Sequence, residues 1–327
     1  QLNSSFDQDK SGFSLRTLSE KKSEAIDLFT LVLHKPNFDG QIIKREKKRY
    51  IASINQSETM PESIASKAFM KALYGEHPYS FPSSGELKSI KKINKKDLQD
   101  FYKNNYLSNE LSVVIVGDIS RVEAEDLAYK ISAGFPENKR VKAIPLVNYN
   151  KPQDIKISHP SKQAHLYYGA PIIKRGDPDF LTLYLGNYIL GGGGFVSRLT
   201  QEIREDRGLA YSVYSYFMPY IEAGPFQIGI QTKKDQVNEA KKIIQKTVSE
   251  FIKNGPSPKE LRRAKDFMIG GFPLRLDSNK SILAYVSMMA FYKYPLDYLE
   301  TFTNRIDKIT AEEIKSAFQR RVDMNKF

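Results

Sequence analysis

The chain repeats itself. Glu24-Ala25 is matched by Glu239-Ala240, Ile43 by Leu261 and Ile93 by Ile309, at offsets of 215, 218 and 216 residues. A near-constant offset with one order of elements predicts two copies of a single α/β unit rather than one continuous core. The length of 327 residues also suits two domains of roughly 150 residues each. In the first copy "SGFSLRTL" alternates as a strand, and a helix runs from about Glu20 to His34. Asp39 opens a second helix through "QIIKREKKRYIASINQ". Asn94-Lys-Lys-Asp97 has capping-box character ahead of the helix "LQDFYKNNY", and the apolar run Leu111–Ile119 reads as a buried strand. In the second copy "GPFQIGIQT" is the strand and "VNEAKKIIQKTVSEFIKNG" the helix, closed by Gly255. Ser257-Pro258-Lys259-Glu260 and Thr310-Ala-Glu-Glu313 are further helix starts.

This order predicts an α+β fold class: a layered α/β sandwich in each of two homologous domains, each a mostly antiparallel sheet packed with helices. The domains are expected at residues 1–136 and 155–327. The linker 137–154 lies in the proline-bearing, aperiodic stretch Phe135–Asp154. Copy one carries "LSVVIVG" after its last helix, whereas copy two stops at "RRVDMNKF". Relative to its own repeat the chain reads as clipped at both ends, and about 50 to 80 residues are expected before Gln1, judged from domain size.

Composition excludes several classes. There is no cysteine, hence no disulfide, thiolate metal site or cysteine nucleophile. No apolar run approaches the roughly 18 residues of a membrane-spanning helix. The net charge of +12 permits a nucleic-acid partner. The lysines, however, are spread along helical patterns among Glu and Asp, which is how solvated helix faces look.

The stretch "LGGGGFVSRLTQEIREDRGLAYSVYSY" from Leu190 raises the possibility of a phosphate cradle. A P-loop needs Gly-Lys-Ser/Thr five residues after its first glycine, and the corresponding pairs here are Val196-Ser197 or Ser197-Arg198. The dinucleotide pattern fails as well, since its last glycine falls on Val196 or Ser197. Phe195, Leu199 and Ile203 recur every fourth residue and predict an amphipathic helix that ends at Gly208, with "LAYSVYSYF" as the next strand. Arg204 then lies in the last helical turn and Tyr211 at the start of the strand. From spacing alone, Arg204 pairing with a nearby carboxylate and Tyr211 packing in the sheet is the simpler expectation. A fixed guanidinium beside a phenol is the other.

The same stretch resembles the C-terminal-domain signature of the insulinase/pitrilysin-like zinc peptidases, the family that includes mitochondrial processing peptidase. "FSLRTLSEKKSEAIDLF", "PNFDGQIIKREKKR", "ALYGEHPYS" and "FYKNNYLSNELSVVIVGDI" resemble its N-terminal domain, so the likeness covers almost the whole chain. The resemblance implies two related domains closing as a clamshell around unfolded peptide. It implies that Arg204 and Tyr211 are the catalytic pair, holding the substrate carbonyl and stabilising the oxyanion formed at zinc. It also makes Gly192, Gly193, Gly194 and Phe195 a substrate-contacting loop.

The zinc half departs from the family. The family motif H-x-x-E-H is absent, and in the family layout it lies upstream of Gln1. The family's downstream glutamate ligand is replaced by Ser53, a poor zinc ligand, with Glu46 and Glu58 the nearest carboxylates. His77 reads as structural. The resulting expectation is a non-catalytic subunit with no metal of its own, joined in a heterodimer to a zinc-bearing homologous subunit. The alternatives are a self-sufficient zinc peptidase whose motif is missing from this chain, and a structural or peptide-binding homologue. An extended substrate is expected to pair along "YSVYSYF" or "GPFQIGIQT". The family's bacterial members imply a periplasmic or otherwise extracytoplasmic compartment, which nothing in these residues specifies.

Overall fold

The computed structural model describes residues 1–137 and 143–327; part of the expected linker, 138–142, lies outside the described residues. The first half runs β1 (Leu2–Phe6), β2 (Ser11–Leu15), α1 (Lys22–His34), α2 (Gly40–Ser57), α3 (Pro61–Tyr74), α4 (Leu87–Lys92), α5 (Lys95–Asn105) and α6 (Arg121–Ser132). The second half runs β3 (Gln163–Ile173), α7 (Phe180–Asn187), α8 (Arg198–Thr200), β4 (Ala210–Phe217), β5 (Gly224–Lys233), α9 (Val237–Asn254), α10 (Pro258–Gly271), α11 (Asn279–Tyr292), α12 (Phe302–Lys308) and α13 (Ala311–Arg321). The repeat is therefore one of whole elements: two antiparallel strands and then five helices, β1 to α5 and again β4, β5 and α9 to α13.

The helix starts follow local chemistry. The side chains of Asn94, Ser257 and Thr310 each accept from the amide of the third helical residue, and their own backbone N–H groups donate to its carboxylate, closing capping boxes on α5, α10 and α13. The Asp39 carboxylate accepts from the Gln41 and Ile42 amides at the start of α2. Gly255, at φ 70°, ends α9 in a conformation that side chains resist.

The backbone gathers into two compact units. One comprises Gln1–Gln56, Pro82–Ala143 and Arg275–Tyr294; the other comprises Ser57–Phe81, Ile144–Leu274 and Pro295–Phe327. In the first unit β1 and β2 form a two-stranded hairpin, and Ile26, Phe29 and Leu33 of α1 meet Ile131 and Phe135 in a small core. The expected strand Leu111–Ile119 is not one. Among the described residues the segment has no strand partner and it is at most half-buried, and without a ladder partner an apolar run has nowhere to place its backbone donors as a strand.

In the second unit the sheet order is β3-β5-β4, all antiparallel. Alternation gives it two unlike faces. Phe226, Ile228 and Ile230 of β5 and Val213 and Phe217 of β4 are buried, as are Ile244, Val248 and Phe251 of α9, Ile314 and Phe318 of α13, and Leu183 and Leu185 of α7. The other face carries tyrosine, glutamine and glycine.

One ion pair ties this helix layer to the segment that carries the site. Burial alone would raise the carboxyl pKa of Glu260, but hydrogen bonds from the Arg198 guanidinium (2.7 Å twice) and from Ser257 hold it at about 2. A folded value below the ordinary 4.5 means that the stabilisation is complete above about pH 4.5 and is lost as pH falls toward about 2. Thermal melts between pH 5 and 2 are expected to show this loss, and Glu260→Gln is expected to flatten it. An unchanged acid limb in the variant contradicts the assignment.

Candidate functional site

The segment from α7 to β4 carries the predicted site, all of it within the second unit. After α7 the chain widens into a π-helical turn, Tyr188–Gly192, and after α8 into a second, Gln201–Glu205. Leu190, Leu199 and Ile203 are fully buried. Phe195 departs from the expected helical stripe. It sits in a separate 3₁₀ turn, Gly194–Val196, and is 65% exposed.

The glycines are explained by contact rather than by phosphate. A Cβ on Gly191 would lie 2.3 Å from the Ser215 hydroxyl and 2.8 Å from the Ser215 amide nitrogen, so the π-helical turn rests directly on the β4 backbone. Gly192 and Gly193 would meet Asn187 and the Tyr188 carbonyl in the same way, at 2.8 and 2.6 Å. Gly194 faces open space but has φ +61°. Gly191→Ala is therefore expected to cost about 1–3 kcal/mol through overpacking, and Gly194→Ala about 1 kcal/mol through backbone strain. Urea denaturation checks the order; equal losses contradict it.

Arg204 lies on the second π-helical turn. Its guanidinium stacks 4.7 Å from the Phe195 ring centroid and lies 3.5 Å from the Glu205 carboxylate, with the side chain 41% exposed. Stacking engages the face of the guanidinium, which leaves in-plane N–H groups available to an acceptor. Gly208, at φ +61°, turns the chain, its amide donating to the Arg204 carbonyl at 3.0 Å. Tyr211 follows in a β-bulge: Ala210 pairs with Thr232 and Ser212 with Gln231, leaving Tyr211 as the extra residue. It is 71% exposed. Bulges re-aim side chains, and π turns recur at functional sites. Neither irregularity is visible in apolar periodicity, and no sequence signal marks Phe195 as the partner of Arg204.

Two other expectations change. "GPFQIGIQT" is the central strand β5, bonded on both edges, so it has no free edge for a substrate. β4 is an edge strand, but the Val213 and Ser215 carbonyls accept from Thr200 and Asn187 side chains at 3.5 and 2.9 Å, and Gly191 presses on the same stretch. That leaves no room for an added strand there.

The donor set for zinc does not fit. Ser53 is exposed on α2, and Glu46, one of the nearest carboxylates, is tied by Arg45 and Arg49 at 3.0 and 2.8 Å. His77 bonds the Pro145 carbonyl and the Tyr79 amide, His159 the Thr59 carbonyl and the Ser161 amide, and His34 the Ile131 carbonyl. Among the described residues no three His, Asp or Glu side chains gather as a metal site.

The family model "Peptidase M16 inactive domain" matches residues 92–268, more than half of the chain. The crystal structure of a peptidase M16 inactive domain from Pseudomonas fluorescens is similar over 100% of this chain and 78% of its own, at 36% identity and a TM-score of 0.96. The "non-peptidase homolog YmxG" of Helicobacter pylori is 29% identical over 95% of this chain and 72% of its own length. The "uncharacterized zinc protease YmxG" of Bacillus subtilis is 27% identical over 96% and 76%. No helix of the described residues is long and apolar enough to cross a membrane.

Proposed function

The chain belongs to the peptidase M16 inactive-domain family, and from that premise we propose that it is the non-catalytic subunit of a two-chain zinc endopeptidase. Its partner is a homologous subunit bearing the zinc, the two chains closing as a clamshell heterodimer around an unfolded peptide. The zinc supplies Lewis-acid chemistry and the activated water from the partner's side. Arg204 and Tyr211 of this chain donate to the substrate carbonyl oxygen. A guanidinium and a phenol aimed at developing negative charge stabilise the transition state more than the ground state.

The observation that carries this reading is the placement of Arg204 and Tyr211. Each is exposed on a local irregularity, the π-helical turn and the bulge, while its neighbours Ile203 and Val213 are buried. Gly192 and Gly194, which precede Arg204 in the same segment, are exposed and Gly193 is half-buried, and they would offer main-chain contacts to the substrate.

Metal analysis and a peptidase assay of the purified chain test the reading: no bound zinc and no activity alone are expected. Stoichiometric zinc with activity alone would overturn it. The name of the Helicobacter pylori relative favours a second reading, a peptide-binding homologue with no hydrolytic role. That reading expects Arg204 and Tyr211 to tolerate substitution in any assembly.

A further inference from the structure

The sheet face opposite the helices is composed unusually for this chain. The strand register places His165, Tyr167 and Gly169 of β3 beside Gln231, Gly229 and Gln227 of β5, and these beside Ser212, Tyr214 and Tyr216 of β4. None of the nine positions is Asp, Glu, Lys or Arg, although these make up 27% of the chain. The positions nearest the bulge (His165, Gln231, Ser212 and Tyr214) are exposed or half-exposed, while Gln227 and Gly229 are buried. The outer face of an antiparallel sheet is normally polar; here rings, carboxamides and glycines stand where charged side chains could.

The rings are held flat. A Cβ on Gly229 would strike the Tyr214 ring at 2.4 to 2.7 Å, so the ring lies over the central strand where a side chain would otherwise stand. Tyr214 and Tyr216 stack with centroids 5.4 Å apart and planes 4° from parallel. Phe69 of α3 extends the aromatic surface at 5.8 Å from Tyr167. The Gln227 carboxamide donates to the Tyr216 hydroxyl at 2.8 Å, and that of Gln231 to Gln163 at 2.5 Å. Burial first, and the neighbouring Tyr214 second, push the Tyr167 and Tyr216 phenols above their ordinary range, so both remain protonated at neutral pH.

We propose that this uncharged tyrosine–glutamine face is a binding floor for an extended peptide with apolar or aromatic side chains. Flat rings reward apolar side chains, and a face with no Lys or Arg among its nine positions and the Glu62 carboxylate of α3 acting on Tyr167 offers nothing to offset the desolvation of an acidic one. Carboxamides and phenols can each bond peptide N–H or C=O groups. The floor runs directly into the bulge, since Ser212 follows Tyr211. A peptide on it would therefore be delivered to Arg204 and Tyr211. In that respect the proposal rests on the function proposed above, and the floor sets which residues flank the bond. It also accounts for recognition without an added strand, since the β4 edge is occupied.

The test is fluorescence anisotropy on the full chain without any partner. The probe is a short fluorescein-labelled peptide of Gly, Ser and Thr with phenylalanine at alternate positions. Wild type is expected to bind. Tyr214→Ala is expected to weaken binding about tenfold or more, and Tyr214→Phe, which keeps the ring, to stay within about twofold. Ser212→Glu changes an exposed residue that the fold does not need, and it is expected to weaken the same peptide about threefold. A peptide with glutamate in place of phenylalanine is expected not to bind. Failure of wild type to bind, equal binding of the two peptides, or unchanged binding in both Tyr214→Ala and Ser212→Glu would overturn the floor. The floor is read by binding without a partner, so the expected pattern for Tyr214→Ala and Ser212→Glu combined with normal turnover of Arg204→Ala in the two-chain complex would overturn the catalytic role alone.

Discussion

Arg204→Ala is expected to lower turnover of the two-chain complex by about 10²- to 10³-fold, the cost of removing one preorganised oxyanion donor. The same substitution should scarcely change stability. The Arg204 side chain is 41% exposed, its contact with Glu205 is 3.5 Å long, and its stacking on Phe195 takes place on the surface. Exposed contacts of these kinds contribute about 1 kcal/mol or less each. A large kinetic effect with an unchanged melting temperature is therefore the signature of a catalytic residue. Normal turnover with an equally unchanged melting temperature is the pattern of a surface residue that only pairs with its neighbour. Tyr211→Phe removes only a hydroxyl from a side chain that is 71% exposed, and it is expected to reduce turnover in the same sense. Single-turnover kinetics alongside thermal melts separate the outcomes; normal turnover in both variants would leave the pair without the assigned role.

Phe318→Ala should show the reverse. This ring on α13 is fully buried, 4.8 Å from Phe251 of α9 and 6.0 Å from Phe217 of β4, and a Cβ on Gly186 of α7 would lie 2.5 Å from its edge. It thus fills the junction between sheet and helices beneath the site strand. Truncation is expected to cost about 3–5 kcal/mol, transfer and cavity terms together. The neighbours that would have to move inward are themselves large and fully buried. A shift in the denaturation midpoint worth less than about 1 kcal/mol would show that the junction collapses freely and that β4 is not held from below.

Much of this fold can be read from residue types because its signals are local. Capping boxes at Asn94, Ser257 and Thr310 act within one turn, and those at Asn94 and Thr310 stand 310 − 94 = 216 residues apart, the offset of the repeat. Leu111–Ile119 shows the limit. Its apolar composition suits a strand, yet strand formation depends on a partner elsewhere in the chain. The glycines show another limit. Their clustering is plain, but its reason is the approach of a π-helical turn to Ser215, more than twenty residues away. Arg204 and Tyr211 were legible only through resemblance to a family. What sets them apart physically, a widened helical turn and one extra residue in β4, leaves no periodic trace. The tyrosine floor was hidden for a related reason: "AYSVYSYF" reads as an ordinary alternating strand until the register sets its tyrosines against Gly229 and Gln227.

The central claim is that this chain completes an active site whose metal belongs to another subunit. Mixing it with a zinc-bearing homologous subunit and following cleavage of an unfolded peptide tests that most directly. Activity is expected from the mixture and from neither chain alone, and it should be lost when the added chain carries both Arg204→Ala and Tyr211→Phe. Full activity of the zinc-bearing subunit alone, or equal stimulation by the doubly substituted chain, would contradict it.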